Sequence, residues 1–303
     1  MKKNKNVLLA LLKWLSGLEL KTLYGLSDYL LYPLVHRFYR RKLVRKNLSL
    51  AFPEKTEEER RDIERKFYHW FCDLIVETVK VHGISREEIT ERFVWHNVAE
   101  VEEATLRAGK DFACCYLSHY CNWEMAVGLP FWQKRMGMCQ IYHPLRNDAM
   151  DEWFVGNRGQ FGAENIKMKD TLRRLLTLRK EAKEGSKRLP DGDVIKGWFF
   201  GCIADQLPKR ENIHLRVPFL NQSTGVFSGS EKLARKFGMT VWYASITMPS
   251  RGHYEARFYP IEVSDEELQT DEFAYTKRYI SLLEKQINER PELWLWTHDR
   301  WKR

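Results

Sequence analysis

The sequence lacks the long uncharged stretch that a membrane-spanning helix requires. Its apolar N-terminal region, residues 7–35, is interrupted by charged side chains, and no uncharged run in it reaches the roughly 18 residues that a span needs. A cleaved signal peptide is not expected, because the apolar run at 7–12 is short and no small-residue cleavage site follows. We therefore expect an amphipathic helix or hairpin that lies in a membrane interface. The interrupting residues are Lys13, Glu19, Lys21 and Asp28.

Motifs for several common chemistries are also missing. The six cysteines contain no C-x-x-C pair, and Cys114, Cys115 and Cys202 lie in apolar, strand-like runs, which predicts buried free thiols in a reducing compartment. Neither the P-loop nor the G-x-G-x-x-G pattern occurs, so nucleotide hydrolysis and dinucleotide binding have no support. The chain shows no internal repeat and no low-complexity tract.

Charge and aromatic side chains are abundant. The chain has 50 Lys and Arg against 41 Asp and Glu, a net charge of +9, which predicts anionic partners. The 11 Trp and 13 Tyr residues suit a protein at a water–lipid boundary. A basic run at 37–46 contains no acidic residue, and near an anionic leaflet each cation contributes about 1 kcal/mol. A solvated basic helix face is the alternative, but the adjoining aromatic-rich stretch favours a membrane surface. The cations are Arg37, Arg40, Arg41, Lys42, Arg45 and Lys46.

From Pro53 onwards, apolar runs typical of strands alternate with helical patterns. Thr56 and Glu59 form a capping-box pattern at the start of the first helix. The alternation predicts an α/β fold with a mixed, mostly parallel sheet covered by helices on both faces. We expect this domain at 53–303, preceded by an interfacial helical segment at 1–52. Predicted strands are 112–117, 138–142, 194–204, 240–248 and 253–261, and predicted helices are 98–107, 148–154, 171–183, 230–237 and 273–288.

The strand at 112–117 is followed closely by His119, and Glu124 lies five residues further on. Neither one helix nor one strand brings side chains at this spacing together. They meet if His119 lies in a tight strand-to-helix turn and Glu124 in the first turn of the next helix. The carboxylate would then hold Nδ1–H, leaving Nε2 free to take a proton from a hydroxyl.

Three other interpretations of this segment remain. A histidine beside a strand is often a structural residue. Zinc binding by His119, Cys121 and Glu124 lacks a further Cys/His pair at ligand spacing. Ser118 as a nucleophile is disfavoured, because the side chains of adjacent residues diverge.

Further polar residues are candidates for substrate binding. Arg146 and Arg158 flank the predicted helix 148–154, and a surface ion pair with Asp148, Asp151 or Glu152 is an equal alternative for Arg158. Asp205 and Gln206 follow a predicted strand, at the edge where open α/β sheets bind ligands, although a helix cap explains Asp205 equally well. Next come two cations suited to an anionic head group or carrier, Lys209 and Arg210.

Two later positions complete the candidate set. Ser228 opens a helix, whose N-terminus can receive an anion, and ordinary capping is the simpler alternative. The C-terminal tail has residues that either belong to the core at alternating positions or line an acyl or sugar-phosphate groove, namely Trp294, Trp296, His298, Arg300 and Trp301. The charge of Arg300 favours partial exposure there.

Ser118-His119 followed by Asn122-Trp123-Glu124 resembles the active-site motif of the late acyltransferases of lipid A biosynthesis, in the lysophospholipid-acyltransferase-like superfamily. The resemblance covers nearly the whole chain. One departure is Cys121, where the family usually has glycine. Further matching stretches are Arg45-Lys46-Asn47-Leu48, Ala51-Phe52-Pro53, Arg158-Gly159, Gly162, Asp205-Gln206, Ser228-Gly229, Leu233-Ala234-Arg235, Pro291-Glu292-Leu293-Trp294, His298 and Arg300.

This resemblance implies a glycerolipid-acyltransferase-like fold and an acyltransferase at the cytoplasmic face of the bacterial inner membrane. The donor would be an acyl carrier protein or CoA thioester, serving as co-substrate without a cofactor or a metal. The acceptor would be a hydroxyl of a lipid A precursor, and Arg158 would engage a phosphate or carboxylate near the site. His119 would be the general base, Glu124 would orient it, and backbone N–H groups would stabilise the oxyanion.

Two alternative functions stay open from the sequence. Acylation of a lysophospholipid or an aminolipid would use the same site chemistry. A non-enzymatic basic protein that binds anionic lipid belongs to another class. Nucleic acid is not an expected partner, because the basic run adjoins a leucine-rich segment rather than a base-stacking platform.

Overall fold

The structure, a computed structural model, describes residues 2–302. Its N-terminal part is helical, and a π-helical turn at Ser27–Leu31 joins the second helix to the third. Within residues 2–302, none of the helices combines the length and the apolar character needed to cross a bilayer. The helices of this part are α1 (Lys2–Ser16), α2 (Leu20–Leu26), α3 (Tyr32–Phe38) and α4 (Arg41–Ala51).

Helix α5, Glu57–Lys80, is the longest of the described helices and begins at the predicted capping box. The hydroxyl of Thr56 accepts from the backbone N–H of Glu59 (3.2 Å), and the Glu59 carboxylate accepts from the N–H of Thr56 (2.7 Å). The apolar side chains Ile63, Phe67, Trp70 and Leu74 of this helix are buried. Three acidic side chains of α5 are buried as well, Glu64, Asp73 and Glu77.

A seven-stranded sheet forms the centre of the remaining chain. Its strands are β1 (Phe93–Trp95), β2 (Phe112–Leu117), β3 (Met136–Tyr142), β4 (Glu164–Lys167), β5 (Gly197–Ile203), β8 (Thr240–Ser250) and β9 (His253–Pro260). They lie in the order β1-β9-β8-β2-β5-β3-β4. All neighbouring strands are parallel except β8 and β9, so the prediction of a mixed, mostly parallel sheet in an α/β fold is confirmed.

Helices pack around this sheet, and a separate antiparallel hairpin consists of β6 (Arg216–Phe219) and β7 (Gln222–Gly225). Strand β2 is central, with β5 and β8 as neighbours, and it is buried at every position, as expected for a parallel strand whose sheet is covered on both faces. The remaining helices are α6 (Arg86–Arg92), α7 (Val98–Arg107), α8 (Asp148–Gly159), α9 (Thr171–Lys183), α10 (Gly229–Phe237), α11 (Asp265–Thr270) and α12 (Ala274–Glu289).

The C-terminal tail packs into the protein. Trp294 and Trp296 are buried in the core, and Arg300 is only 1% exposed. The expectation that Arg300 is partly exposed is therefore wrong. Its Nη1 donates to the carbonyl of Gly225 at the end of β7 (2.8 Å), and its guanidinium lies over the ring of Phe219, so hairpin β6–β7 covers it.

Candidate active site

Strand register brings His119 and Asp205 together. Leu117, the last residue of β2, is the register partner of Ile203, the last residue of the parallel strand β5. His119 and Asp205 each lie two residues beyond these ends, so both residues lie at the same edge of the sheet. Carboxyl ends of parallel strands are the usual ligand-binding edge of an open α/β sheet.

Asp205 and His119 form a two-point contact. The imidazole Nδ1 lies 2.7 Å from Oδ1 of Asp205, and the backbone N–H of His119 donates to Oδ2 (3.1 Å). The indole of Trp294 also donates to Oδ2 (2.9 Å). Burial acts to raise the pKa of Asp205, but His119 and the hydrogen bonds outweigh it and hold that pKa below the ordinary value. The buried carboxylate is therefore ionised, and an ionised acceptor beside Nδ1 selects the imidazole tautomer that carries its proton there.

The other imidazole nitrogen is then available as a proton acceptor. Nε2 of His119 lies 3.1 Å from Nε2 of Gln206, whose amide N–H can donate to an unprotonated ring nitrogen. The His119 side chain retains 20% exposure, whereas Asp205 is 2% exposed. This arrangement gives a base that a substrate can approach and a carboxylate that water does not reach.

Glu124 does not hold Nδ1 of His119, which corrects the contact expected from the sequence. Its carboxylate instead forms a forked ion pair with Arg158 of α8, with Oε1 2.6 Å from Nη2 and Oε2 3.2 Å from Nε. Glu124 precedes a 3₁₀ turn, Met125–Phe131, rather than lying in the first turn of an α-helix. Asp205 already occupies Nδ1, so that position is not open to a second carboxylate.

Trp123 lies between the two pairs. Its ring packs edge-on against the imidazole of His119, with the ring centroids 4.9 Å apart, and its indole N–H donates to Oε1 of Glu124 (3.0 Å). The Glu124–Arg158 pair thus contacts His119 through one aromatic ring. Arg158 pairs with Glu124, and Asp151 of its own helix also acts on it electrostatically.

The turn that carries His119 is fastened to the C-terminal tail. The N–H of Leu295 donates to the carbonyl of His119 (3.1 Å), and the N–H of Cys121 donates to the carbonyl of Leu293 (2.8 Å). Cys121 has a φ of 56°, a left-handed conformation that glycine adopts without strain and other residues adopt at a cost. The departure from glycine at this position therefore leaves the turn intact but strained.

The other predicted residues lie in two settings. Ser228 is buried at the N-terminus of α10, and its side chain makes no capping hydrogen bond there. Burial lowers the pKa of Arg300 to about 10, while Asp205 opposes this shift, so a buried cation lies within electrostatic range of the His119–Asp205 pair. Three other cations are exposed in loops near the strand ends, namely Arg146, Lys209 and Arg210.

Asp205 is the functional residue whose role sequence reasoning missed. The sequence places it after a strand but offers a substrate contact or a helix cap, not the partner of His119. The signal that identifies it is the pairing of β2 with β5, and strand pairing is a long-range property that the local pattern does not contain. Within residues 2–302, no group of three or more His, Cys, Asp or Glu side chains is placed to hold a metal ion.

Comparison with known proteins agrees over most of the chain. The family model of bacterial lipid A biosynthesis acyltransferases matches residues 31–303. A lipid A biosynthesis palmitoleoyltransferase of Escherichia coli (strain K12) is 24% identical over 273 residues, covering 87% of this chain and 79% of that protein. A lipid A biosynthesis acyltransferase of Shigella flexneri matches with the same identity and coverage.

Proposed function

Because this chain belongs to the bacterial lipid A biosynthesis acyltransferase family, we propose that it transfers a fatty acyl group from a thioester to a hydroxyl of a lipid A precursor. The family makes the chain an acyltransferase, so a non-enzymatic lipid-binding protein is excluded. Within the proposal, the donor is acyl carrier protein or CoA, and no cofactor takes part.

The contact between His119 and Asp205 is the observation that carries the mechanism. Nε2 of His119 takes the proton of the acceptor hydroxyl while the oxygen attacks the thioester carbonyl. The tetrahedral intermediate collapses, the carbon–sulfur bond breaks, and the imidazolium returns its proton to the departing thiolate. Asp205 keeps the proton of neutral His119 on Nδ1 and stabilises the imidazolium that forms.

Gln206 occupies the position that the acceptor must take. Its amide lies 3.1 Å from Nε2 of His119, so the acceptor hydroxyl has to displace it before proton transfer. After it has left Nε2, the amide of Gln206 is still close to the reacting carbonyl. It is then suited to donate a hydrogen bond to the carbonyl oxygen, together with backbone N–H groups of the turn.

The Glu124–Arg158 pair is suited to acceptor recognition. The Arg158 side chain is 27% exposed while that of Glu124 is 9% exposed, so the guanidinium keeps a face open to an anionic group. A guanidinium has five donors in a fixed fork, and Glu124 uses two of them. The proposed role of Glu124 is therefore to hold Arg158 and Trp123 rather than to orient His119 directly.

Apolar side chains on the N-terminal helices support attachment to a membrane surface, which in this proposal is the cytoplasmic face of the inner membrane. Tyr29 is 88% exposed and Phe38 is 74% exposed, and Leu30, Leu34 and the cation Arg37 are exposed on the same short stretch. Burial of such side chains in the interface is favourable, and nearby cations add attraction to anionic lipid.

The basic run contributes less free charge than the sequence suggests. Arg41 and Arg45 both form ion pairs with the buried carboxylate of Glu64 (2.5 and 2.7 Å), and Arg40 donates to the carbonyl of Thr297. Within residues 2–302, Arg37, Lys42 and Lys46 are the exposed cations of this run for which no ion pair with a carboxylate or bond to a distant carbonyl is seen. We therefore assign the larger part of membrane attachment to the apolar side chains.

The proposed substrates are tested with purified enzyme, an acyl carrier protein thioester and two acceptors, a phosphorylated lipid A precursor and a lysophospholipid. Transfer to the lipid A precursor is expected, and Arg158→Ala should reduce it more than it reduces transfer to the single-phosphate acceptor. Each charge-assisted contact to an anionic acceptor contributes about 1.5–3 kcal/mol. Preference for the lysophospholipid would contradict the assigned acceptor.

A second experiment uses cells that lack the protein. The mass spectrum of their lipid A should show one acyl chain fewer than that of normal cells.

A further inference from the structure

Glu77 of α5 has a buried carboxylate that takes no part in the reaction described above. Its side chain is 0% exposed. Oε1 accepts a hydrogen bond from the hydroxyl of Tyr24 (2.5 Å), and Oε2 accepts from the hydroxyl of Tyr254 (2.6 Å) and from Nδ2 of Asn122 (2.5 Å). A carboxylate without solvent is costly unless donors of this kind surround it.

Asn122 connects Glu77 to the catalytic turn. It is fully buried and lies between His119 and Glu124 in the chain. Its Oδ1 accepts from the backbone N–H of Met125 (3.0 Å), so both ends of the amide are engaged. Because the ionised carboxylate only accepts hydrogen bonds, Glu77 in that form determines which end of the amide faces α5 and which end faces Met125.

The position of the Glu77 carboxylate is itself fixed from two other elements. Tyr24 belongs to α2 and Tyr254 to β9. One turn earlier in α5, Asp73 accepts from Ser27 (2.7 Å) and pairs with Arg251 (2.6 Å). Burial raises the pKa of Glu77 to about 7; the hydrogen bonds from Tyr24, Tyr254 and Asn122 oppose this shift, and the nearby Asp73 adds to it. Hydrogen bonds with Tyr24 of α2 and Tyr254 of β9 therefore fix the position of the Glu77 carboxyl group beside the turn.

We propose that Glu77 is a positioning residue for acyl transfer, which holds the amide of Asn122 so that His119 and Glu124 keep their reactive placement. The tail contacts of Leu293 and Leu295 fasten the first half of the turn, and the Glu77–Asn122 contact fastens the second half. This inference rests on the proposed role of His119 as the base.

The first variant is Asn122→Asp, which keeps the size of the side chain but places a carboxylate oxygen against Oε2 of Glu77. The two carboxylates repel each other, so the contact between α5 and the turn is lost. Since displacements of about 1 Å in a reactive group can cost on the order of 100-fold in rate, we expect kcat to fall by about 10- to 100-fold with KM changed by less than about threefold.

An exchange of the two groups tests the orientation directly. In the double variant Glu77→Gln/Asn122→Asp, the glutamine N–H₂ can donate to the new carboxylate, whose second oxygen can accept from Met125. We expect this exchange to restore kcat to within about fivefold of the original enzyme. Recovery of folding without recovery of kcat would overturn the proposal. If the single variant does not fold, the kcat of the double variant decides the matter alone.

Tyr254→Phe is the matched control, because it removes one donor from the same carboxylate and leaves Asn122 in contact. It should lower the unfolding temperature while kcat stays within about threefold of the original value. A loss of kcat equal to that of Asn122→Asp would show that the cluster serves stability alone. An active His119→Ala enzyme would remove the proposed base, whereas an inactive His119→Ala enzyme with a fully active Asn122→Asp enzyme would overturn this inference only.

Discussion

Nδ1 of His119 lies 2.7 Å from Oδ1 of Asp205, a residue 86 positions later in the chain. This contact replaces the expected one with Glu124, which is five positions away. The two carboxylates then have separate tasks, because Asp205 faces the base and Glu124 faces the Arg158 guanidinium. The site contains two ion pairs joined by the ring of Trp123.

Replacement of Asp205 by asparagine tests the first pair. The amide can present N–H to Nδ1, which would favour the tautomer that carries its proton on Nε2 and is unable to act as the base. We expect kcat to fall by about two to four orders of magnitude while circular dichroism shows a folded protein. Steady-state transfer rates measure the effect. An Asp205→Asn enzyme with more than about a tenth of the normal kcat would contradict the assigned contact.

A double-mutant cycle on Glu124 and Arg158 tests the second pair. Each single alanine variant leaves one buried or half-buried charge without its partner, so both should raise KM for the anionic acceptor and reduce kcat/KM strongly. The double variant should cost clearly less than the sum of the two single losses, with a coupling of about 0.5–3 kcal/mol. Additive losses would show that Glu124 acts independently of Arg158.

Part of this site can be predicted from sequence because it is local. The strand at 112–117 matches β2 and the helix at 98–107 matches α7 in full, since the strand is an unbroken apolar run and the helix is followed by Gly109. His119 follows directly from the end of that strand. Asp205 as its partner requires knowing that β2 lies beside β5, which depends on packing of the whole sheet.

Short strands and buried charges are also not predicted from the sequence. Strands β1 and β4 have three and four residues, too few for an alternating pattern to stand out. From the sequence, the cations of the basic run at 37–46 are predicted to have no ion-pair partner. Their partner Glu64 lies 19 residues beyond Arg45, outside the local pattern. Arg300 reads as exposed, because the hairpin that covers it is distant in the chain.

The strained turn at Cys121 gives a prediction about stability. Cys121→Gly relieves a left-handed conformation that costs about 1–2 kcal/mol for residues with a Cβ, and it removes a small buried side chain at a similar cost. We expect the free energy of unfolding to change by less than about 1 kcal/mol. Cys121→Val adds a branched Cβ at the same φ and should destabilise the protein by about 1–3 kcal/mol. Denaturant unfolding measures both variants, and a valine variant as stable as the glycine variant would contradict the assigned strain.

Membrane attachment is tested by sedimentation with anionic vesicles. Replacing Tyr29 and Phe38 together by serine should weaken binding strongly, because both side chains are largely exposed and apolar burial in the interface is lost. Tyr259→Ser is the matched control, since Tyr259 is 48% exposed on β9. High salt should release only part of the protein, because salt screens charges and not apolar contacts. Complete release by salt would show that the contact is electrostatic.

The rate of acyl transfer by His119→Ala tests the central claim most directly. The variant should remain folded, since Trp294 and the backbone N–H of residue 119 still donate to Asp205, although loss of the imidazole partner of this buried carboxylate should lower the unfolding temperature. Its turnover with an acyl carrier protein thioester and the lipid A precursor should be lower by about two to four orders of magnitude, because the base is absent. A folded His119→Ala enzyme that transfers the acyl group at a near-normal rate would contradict the account.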